Sequence, residues 1–234
     1  MIAIFKREFK SYFTSMTGYL FMAFILFFEG LYFVAYNVTQ GYPHFAYTLY
    51  SLNFVYMIAV PILTMRVFAD ERRQRTDQLL LTAPVTVTQI VLGKYLAMVA
   101  VYGIVCAISA LGPAVLTMFG TVYLAGDYGM LLAFFLAGCA FLAIGMYISA
   151  LTESPVLACV GTFGVLLILY LISSIASMIP IDAIANVLTE FSFSDRLYSF
   201  TQNLIDVPSY VFFASVAGYF VFLTVQSVQK RRWN

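Results

Sequence analysis

Charged residues are scarce in this sequence, since Asp, Glu, Lys and Arg together make up only 10% of its 234 residues. A soluble domain carries about 25% charged residues. Hydrophobic residues account for 62% of the chain, and its mean hydropathy is +0.92. A globule of this size cannot bury so much apolar surface, so the composition excludes a soluble enzyme, a disordered chain and a basic nucleic-acid-binding protein. The class that remains is a membrane protein that crosses the bilayer several times.

Residues typical of metal and redox sites are equally rare. His44 is the only histidine, and one histidine cannot build a His-rich metal or haem site. The three cysteines lie in apolar runs, and an odd number so placed is not a disulfide framework. We interpret them as small core residues: Cys106, Cys139 and Cys159.

The chain also lacks the motifs of a catalytic subunit. A P-loop requires Ser or Thr directly after its Gly-Lys pair, but Gly93-Lys94 is followed by Tyr95. No apolar run contains the histidine of a serine hydrolase or the two aspartates of an aspartyl dyad. We therefore predict that this chain is not an enzyme, holds no cofactor or metal, and does not hydrolyse ATP itself.

Six apolar runs are long enough to cross a bilayer, whose core of about 30 Å needs roughly 20 residues of helix. The third run is too long for one straight span, and Gly112-Pro113 should kink or break it. A gap of four residues predicts a tight turn between the fourth and fifth runs. We predict an all-α protein with transmembrane helices at 17–36, 49–67, 91–122, 129–151, 156–179 and 208–228.

An amphipathic helix is predicted at residues 2–14, before the first span. Its apolar residues recur at spacings of three and four, and its basic residues cluster on the opposite side. Such a helix lies in the membrane interface, so we expect its apolar face to contact lipid. The apolar set is Ile2, Phe5, Phe9, Tyr12 and Phe13.

Basic residues are confined to three places: before the first span, around the segment between the second and third spans, and at the C-terminus. These places hold 11 of the 12 Lys and Arg residues, Lys94 among them. Positive residues gather on the cytoplasmic side of membrane proteins. Because six spans return the chain to the same side, we predict that both termini are cytoplasmic. Of the 11 acids, five then fall in the outer loops, Asp127 among them, and five in the inner segments.

The segment 69–90 joins the second and third spans and is predicted to dock a partner. Its acids suit a helix N-terminus, and a leucine triplet and a proline follow its charges. A solvated loop with stop-transfer charges would explain the basic residues but not the leucines. The residues that we assign to docking are Asp70, Glu71, Arg72, Thr76, Leu79, Leu80, Leu81 and Pro84.

The longest outer segment, 180–207, is predicted to form two short amphipathic helices that dip into the outer leaflet or cover the bundle. Ser194 suits the N-cap of the second helix. An aromatic lid of this kind could gate an exit, although anchoring in the membrane interface explains the same residues. The gate residues that we assign are Phe191, Phe193, Asp195, Arg196 and Phe200.

Glu29 is the one ionisable residue that we predict to lie deep within the membrane, away from the ends of the spans. It lies 12 positions after Thr17, which is about 18 Å into the bilayer. A charged acid near the centre costs about 2.5–3.5 kcal/mol on insertion scales. Substrate contact and proton coupling are two possible roles, but an interhelical hydrogen bond is slightly favoured, because a proton pathway usually contains more than one such group.

These features together resemble the ABC-2 type ABC transporter permeases, over the whole chain. Two further segments fit the family. Residues 145–158 are similar to its inner turn between spans four and five, although Ser154-Pro155 replaces the usual asparagine-containing turn. The second is the basic C-terminus, which ends in Arg231-Arg232-Trp233. Arg75 stands where the family usually has glycine. The closest subgroup is that of the small gliding-motility-associated permeases. The most specific residues are Glu71, Thr76, Leu79-Leu80, Pro84 and Gly93-Lys94, similar to the family's run of an acid, a Gly-Thr pair, a leucine pair, a proline and a Gly-Lys pair.

The resemblance implies a role as the membrane subunit of an exporter in the bacterial cytoplasmic (inner) membrane. Two permease copies would pair through spans one and five, as a homodimer or a heterodimer. Each would bind a cytoplasmic ATPase subunit that carries ATP and Mg²⁺, with the helix from Asp70 to about Leu81 in a groove of the ATPase. The 180–207 helices would form the outer gate, and the substrate would be hydrophobic or amphipathic.

Two other hypotheses stay open at this point. The first is a self-contained channel or secondary transporter with Glu29 as the coupling group, which would give flux without any ATPase. The second is a structural membrane subunit that anchors other proteins and has no transport path.

Overall fold

A computed structural model describes residues 1–74, 85–118, 122–178, 188–202 and 204–233. Within these ranges the chain is helical, and six helices are long and apolar enough to cross a membrane. The predicted all-α membrane architecture is confirmed. The six candidate spans are Thr17–Thr39, Ala46–Arg73, Val87–Leu116, Leu124–Leu151, Pro155–Ala176 and Val207–Lys230.

Ten α-helices are named here in chain order, and the first span ends in a π-helical stretch, Phe33–Thr39. The helices are α1 (Ile2–Thr14), α2 (Thr17–Tyr32), α3 (Ala46–Thr64), α4 (Ala69–Arg73), α5 (Val87–Ser109), α6 (Leu111–Leu116), α7 (Leu124–Leu151), α8 (Pro155–Ala176), α9 (Phe193–Thr201) and α10 (Val207–Trp233).

Helices α3 and α7 form the centre of the bundle. In their most apolar stretches 72% and 67% of the residues are buried, against 22%, 17% and 22% in the spans of α2, α8 and α10. The three outer helices thus leave most of their apolar surface open. In a membrane this surface can meet lipid or a second subunit at no hydrophobic cost.

Two glycines of α7 allow its close packing at the centre. A methyl group added to Gly138 would overlap the ring of Tyr102, which is 1% exposed and donates a hydrogen bond of 2.7 Å to the Phe134 carbonyl. A methyl group on Gly145 would lie 2.9 Å from Cβ of Thr64 on α3. Small residues bring helix backbones together where lipid provides no hydrophobic drive for association.

The third span is broken at Ala110, between α5 and α6. Pro113 lacks an amide hydrogen and crowds the carbonyl of the residue four positions earlier, Ser109, which is the last residue of α5. The predicted interruption therefore exists, and it lies one turn before the proline that causes it.

The fourth span begins at Leu124, five residues before the predicted start at Gly129. Asp127 therefore lies inside this helix and not in a loop. Asp127 is fully buried in the first turn of α7, and its Oδ1 accepts a hydrogen bond of 3.1 Å from the amide of Ala46 at the start of α3. Asp127 thus accepts a hydrogen bond from a backbone amide in the first turn of α3, which has no partner within its own helix. The prediction that Asp127 lies in an outer loop is wrong.

The apolar face of α1 packs against the bundle, which corrects the expectation that this face contacts lipid. Tyr12 is buried, and Phe5 and Phe9 pack against the core. Gly93 of α5 permits this approach, since a methyl group there would come within 3.0 Å of Ile4. Ile2, at the end of the helix, is 72% exposed. The protein core offers the aromatic face a closer-packed partner than lipid does.

Replacing Gly138 by alanine should lower the free energy of unfolding by about 1–3 kcal/mol, because the added methyl group has to displace the fixed Tyr102 ring. Thermal denaturation in detergent measures the effect. Gly164→Ala in α8 is the matched control, since no atom lies within 4 Å of its added methyl group. Equal midpoints for the two variants would contradict this packing.

Candidate functional site

Helix α4 begins at the point where α3 ends, and α7 caps it. The hydroxyl of Ser149 accepts hydrogen bonds from the amides of Phe68 (3.2 Å) and Ala69 (3.3 Å). The same hydroxyl lies 3.2 Å from the Met65 carbonyl, to which it donates. The α4 N-cap residue makes no side-chain cap of its own. A side chain from the bundle centre therefore takes the place of the usual local cap.

Lys94 is buried inside α5 and reaches α4. Its side chain is 1% exposed, and its Nζ lies 2.7 Å from Oε1 of Glu71 and 2.9 Å from the Val67 carbonyl. Oε1 of Glu8 is 3.5 Å away, and the Phe68 ring centroid is 5.1 Å away. A buried ammonium is tolerated only when its charge and its three donors are satisfied. From the sequence, Lys94 was counted only among the basic residues that flank or fill the segment between the second and third spans, and its burial was not predicted.

Glu71 also connects α4 to α1. Nη2 of Arg7 lies 2.6 Å from Oε1 of Glu8 and 3.4 Å from Oε1 of Glu71. The hydrogen bond to Glu8 raises the pKa of Arg7, against the opposing effect of burial. For the phenol of Tyr12, which lies one turn beyond Glu8 on α1, burial has the opposite effect and raises the pKa. The four charges Arg7, Glu8, Glu71 and Lys94, called the ion cluster below, join α1, α4 and α5.

The other side of α4 contacts the turn between α7 and α8. Nη2 of Arg72 lies 2.7 Å from Oε1 of Glu153, whose side chain is 70% exposed. Asp70 is only loosely paired, since its Oδ2 lies 3.7 Å from Nε of Arg66. Contacts with Ser149, Glu153 and the ion cluster thus hold α4 from three directions.

The predicted docking residues are only partly covered by the structure. Asp70, Glu71 and Arg72 lie on α4. The remaining five lie outside the described residues: Thr76, Leu79, Leu80, Leu81 and Pro84. Sequence reasoning missed Glu8, Lys94 and Ser149 as parts of the site. The position of Lys94 was the available signal, because a lysine that continues an apolar helix pattern needs a buried partner.

Glu29 forms an interhelical hydrogen bond between α2 and α5. Its carboxylate Oε2 accepts from the hydroxyl of Ser109 at 2.7 Å. The two side chains are buried, with 8% and 2% of their surface exposed. This contact is the structural role that the sequence slightly favoured, and it occupies one oxygen of the acid.

Helix α9 is the described part of the predicted outer gate. Phe193 and Phe200 are buried at 3% and 1% exposure, whereas Phe191 is 54% exposed. Phe193 packs against the rings of Phe141, Phe212 and Phe213, with centroids 5.0–5.4 Å apart. Phe193 and Phe200 of α9 therefore belong to the packed bundle and do not lie free at its surface.

The α9 cap is Ser192, whose hydroxyl accepts from the amide of Asp195 at 3.1 Å. The predicted cap, Ser194, lies inside the helix. Its hydroxyl instead accepts a hydrogen bond of 3.4 Å from Asn53 of α3. Asp195 occupies the first turn, where an acid suits the helix dipole.

Arg196 fastens α9 to the segments on both sides. Its Nη2 lies 2.8 Å from Oε2 of Glu190, and its Nε donates to the Glu190 carbonyl at 2.9 Å. The guanidinium lies 4.4 Å from the centroid of the Phe212 ring on α10. Its Nη1 is 3.5 Å from the hydroxyl of Ser209, which in turn donates to Asp206. One side chain thus joins α9, α10 and the residue before α9.

Among the described residues there is no group of three or more His, Cys, Asp or Glu that could hold a metal ion. The arrangement contains ion pairs, caps and packed rings that position helices.

Replacing Lys94 by methionine should cost about 3 kcal/mol of unfolding free energy, because Glu71 and Glu8 lose a buried partner. The double variant Lys94→Met with Glu71→Gln should recover part of this loss. Denaturation in detergent measures both. Arg73→Gln, an exposed α4 residue, is the control and should stay within about 0.5 kcal/mol of the parent. If Lys94→Met is as stable as Arg73→Gln, the buried ion pair between Lys94 and Glu71 is refuted.

Arg196→Gln should raise amide hydrogen exchange in α9 about fivefold, because the pairing with Glu190 and the stacking on Phe212 are lost. Arg196→Lys keeps the charge but not the planar fork, so an intermediate effect is expected. Exchange unchanged in both variants would show that Arg196 does not hold α9.

Comparison with known proteins places this chain in a family. Residues 37–202 match the family model of ABC-2 family transporter proteins. The matched region begins in the π-helical end of the first span and includes α3 through α9, and so contains α4, Lys94 and the outer helix. Comparison with curated proteins found no match. Since the family model covers more than half of the chain, this multi-pass membrane protein is an ABC-2 family transporter protein.

Proposed function

We propose that this chain is the permease subunit of an ABC exporter and that α4, with the segment after it, docks a separate ATPase subunit. The observation that carries the proposal is the attachment of α4 to three parts of the bundle. Lys94 joins it to α5, Arg7 to α1, and Ser149 with Glu153 to α7 and the turn before α8. A helix held in this way passes a displacement on to the spans, because packed elements move as units.

Energy for transport would come from the partner, which carries ATP and Mg²⁺. Closure of an ATPase dimer would push the docked segment, and ATP would act by binding one conformation better than the other. The Ser149 caps and the Lys94 pair link α4 to the middle of the bundle and to α5. A push on α4 would therefore move several spans together and not bend a loop.

The assembly that we infer has two permease copies and two ATPase subunits in a bacterial inner membrane, with both termini cytoplasmic. Its support is the gathering of 11 of 12 basic residues in three sequence regions that an even number of spans would place on one side of the membrane. The low burial of α2 and α8 leaves surface for pairing. We place the chain in the small gliding-motility-associated subgroup on its sequence pattern.

At the other end, α9 would act as the outer gate. It is held by Arg196 and by its packing against α10, so opening requires these contacts to part. The exported substrate would be hydrophobic or amphipathic, as the resemblance to the family's exporters implies. The buried bond of Glu29 to Ser109 supports a structural role for this acid over one in proton coupling.

Docking is tested on the complex purified from native membranes. The parent complex should hydrolyse ATP, and Leu80→Asp should remove most ATPase subunit and activity, because a charge would enter an apolar contact. The control, Gln229→Asp, adds the same charge at the exposed end of α10. ATP hydrolysis and subunit ratio equal in both variants would show that the segment does not dock the ATPase. Flux in vesicles without ATP or partner that Glu29→Gln abolishes would favour the self-contained transporter.

A further inference from the structure

A polar cavity of about 450 Å³ opens beside the ion cluster. It lies between α1, the start of α2, the junction of α3 with α4, and α5, at the level where the spans begin. The ion cluster forms part of its wall. The other polar residues around it are Ser11, Ser15, Thr17, Arg66 and Asp70.

The most loosely paired charges in the lining of the cavity are Arg66 and Asp70. The members of the ion cluster lie within 2.6–3.5 Å of one another and satisfy each other. Arg66 and Asp70 are 3.7 Å apart at Nε and Oδ2, longer than a charged hydrogen bond, and their side chains are 53% and 34% exposed. The cavity therefore presents a guanidinium with open donors next to a carboxylate with open acceptor sites.

A separate apolar groove of about 470 Å³ lies close to this cavity along the chain. Leu20 of the groove follows Thr17 of the cavity by one turn of α2, and Ile62 of the groove lies four residues before Arg66 of the cavity. The groove reaches Phe27, seven residues beyond Leu20, or about 10 Å farther into the membrane. Its lining is Leu20, Phe21, Ala23, Phe24, Phe27, Ala59 and Ile62.

We propose that the cavity and the groove together bind one phospholipid whose headgroup carries a phosphate and a primary ammonium. The phosphate lies against Arg66, the ammonium against Asp70, and an acyl chain follows α2 from Leu20 to Phe27. A chamber lined by charged side chains, one helical turn from an apolar groove, has the two-part chemistry of such a lipid.

The mixed charge of the chamber selects the headgroup. A guanidinium pairs well with phosphate oxygens, but a purely anionic headgroup would also set its phosphate against Asp70. A choline headgroup has no N–H to donate to the carboxylate. An ethanolamine headgroup supplies both partners, and its ammonium donates three hydrogen bonds of the kind that the carboxylate accepts.

This site does not depend on the transport proposal. It uses contacts within one chain and requires neither an ATPase nor a direction of transport. Binding and ATPase docking are therefore tested by separate measurements, and either can fail alone.

Native mass spectrometry of the purified chain, delipidated and then supplied with single lipids, tests the proposal. Phosphatidylethanolamine should be retained at one copy per chain, with phosphatidylcholine and phosphatidylglycerol about tenfold weaker. Arg66→Gln should weaken phosphatidylethanolamine about tenfold through loss of the charged contact. Leu20→Trp, which fills the groove, should also displace it, and free phosphoethanolamine should bind far more weakly than the lipid.

The controls change similar side chains elsewhere. Arg73→Gln removes an exposed arginine of α4 outside the cavity. Leu171→Trp enlarges an exposed residue of α8. Both should keep the lipid. Equal retention of the three lipids, or equal retention by Arg66→Gln and Arg73→Gln, would overturn the proposal. A change from dimer to monomer in Leu20→Trp without lipid loss would show that a second copy covers the groove.

Discussion

The structure at the α4 end depends on the burial of a single cation, Lys94. An ammonium enclosed among helices is stable only when acids and a carbonyl surround it, and these come from α1, α4 and the end of α3. The requirement brings three separate elements to one point. It holds α4 in a fixed orientation at the end of α3, where a loop of the same charge would be free to move. The proposed docking role and the proposed lipid site both depend on that fixed wall.

Other polar groups of the spans follow the same rule. A hydroxyl, amide or acid without water must find its partner inside the protein. Ser149 caps α4 from α7, Asp127 caps α3 from the start of α7, and Ser109 bonds to Glu29 between α2 and α5. Each bond specifies one pair of neighbouring helices. Close contacts such as that of Gly138 with Tyr102 fix how near those neighbours lie. Between spans that are apolar almost throughout, these few contacts carry the specificity of the packing.

Much of the architecture was predictable from the sequence, because a span is a local property of about 20 consecutive residues. The six spans and the break before Pro113 follow from apolar runs and from the missing amide of proline. The corrections concern the apolar face of α1, the cap of α9 and the position of Asp127. Asp127 was assigned to a loop because charge usually means solvent, but it is buried with a partner that is distant in sequence, and so is Lys94. The docking role of the leucine triplet stays a prediction, since these leucines lie outside the described residues.

The sequence by itself determined that the chain is an all-helical membrane protein, that it lacks catalytic motifs, and where its family resemblance lies. These are matters of composition, run length and local pattern. Only the tertiary structure decided that α1 packs on α5, that Glu71 pairs with Lys94, and that a polar cavity lies close to an apolar groove. Such pairings join residues up to about a hundred positions apart along the chain. No local periodicity specifies them, because a buried charge selects its partner by distance in space.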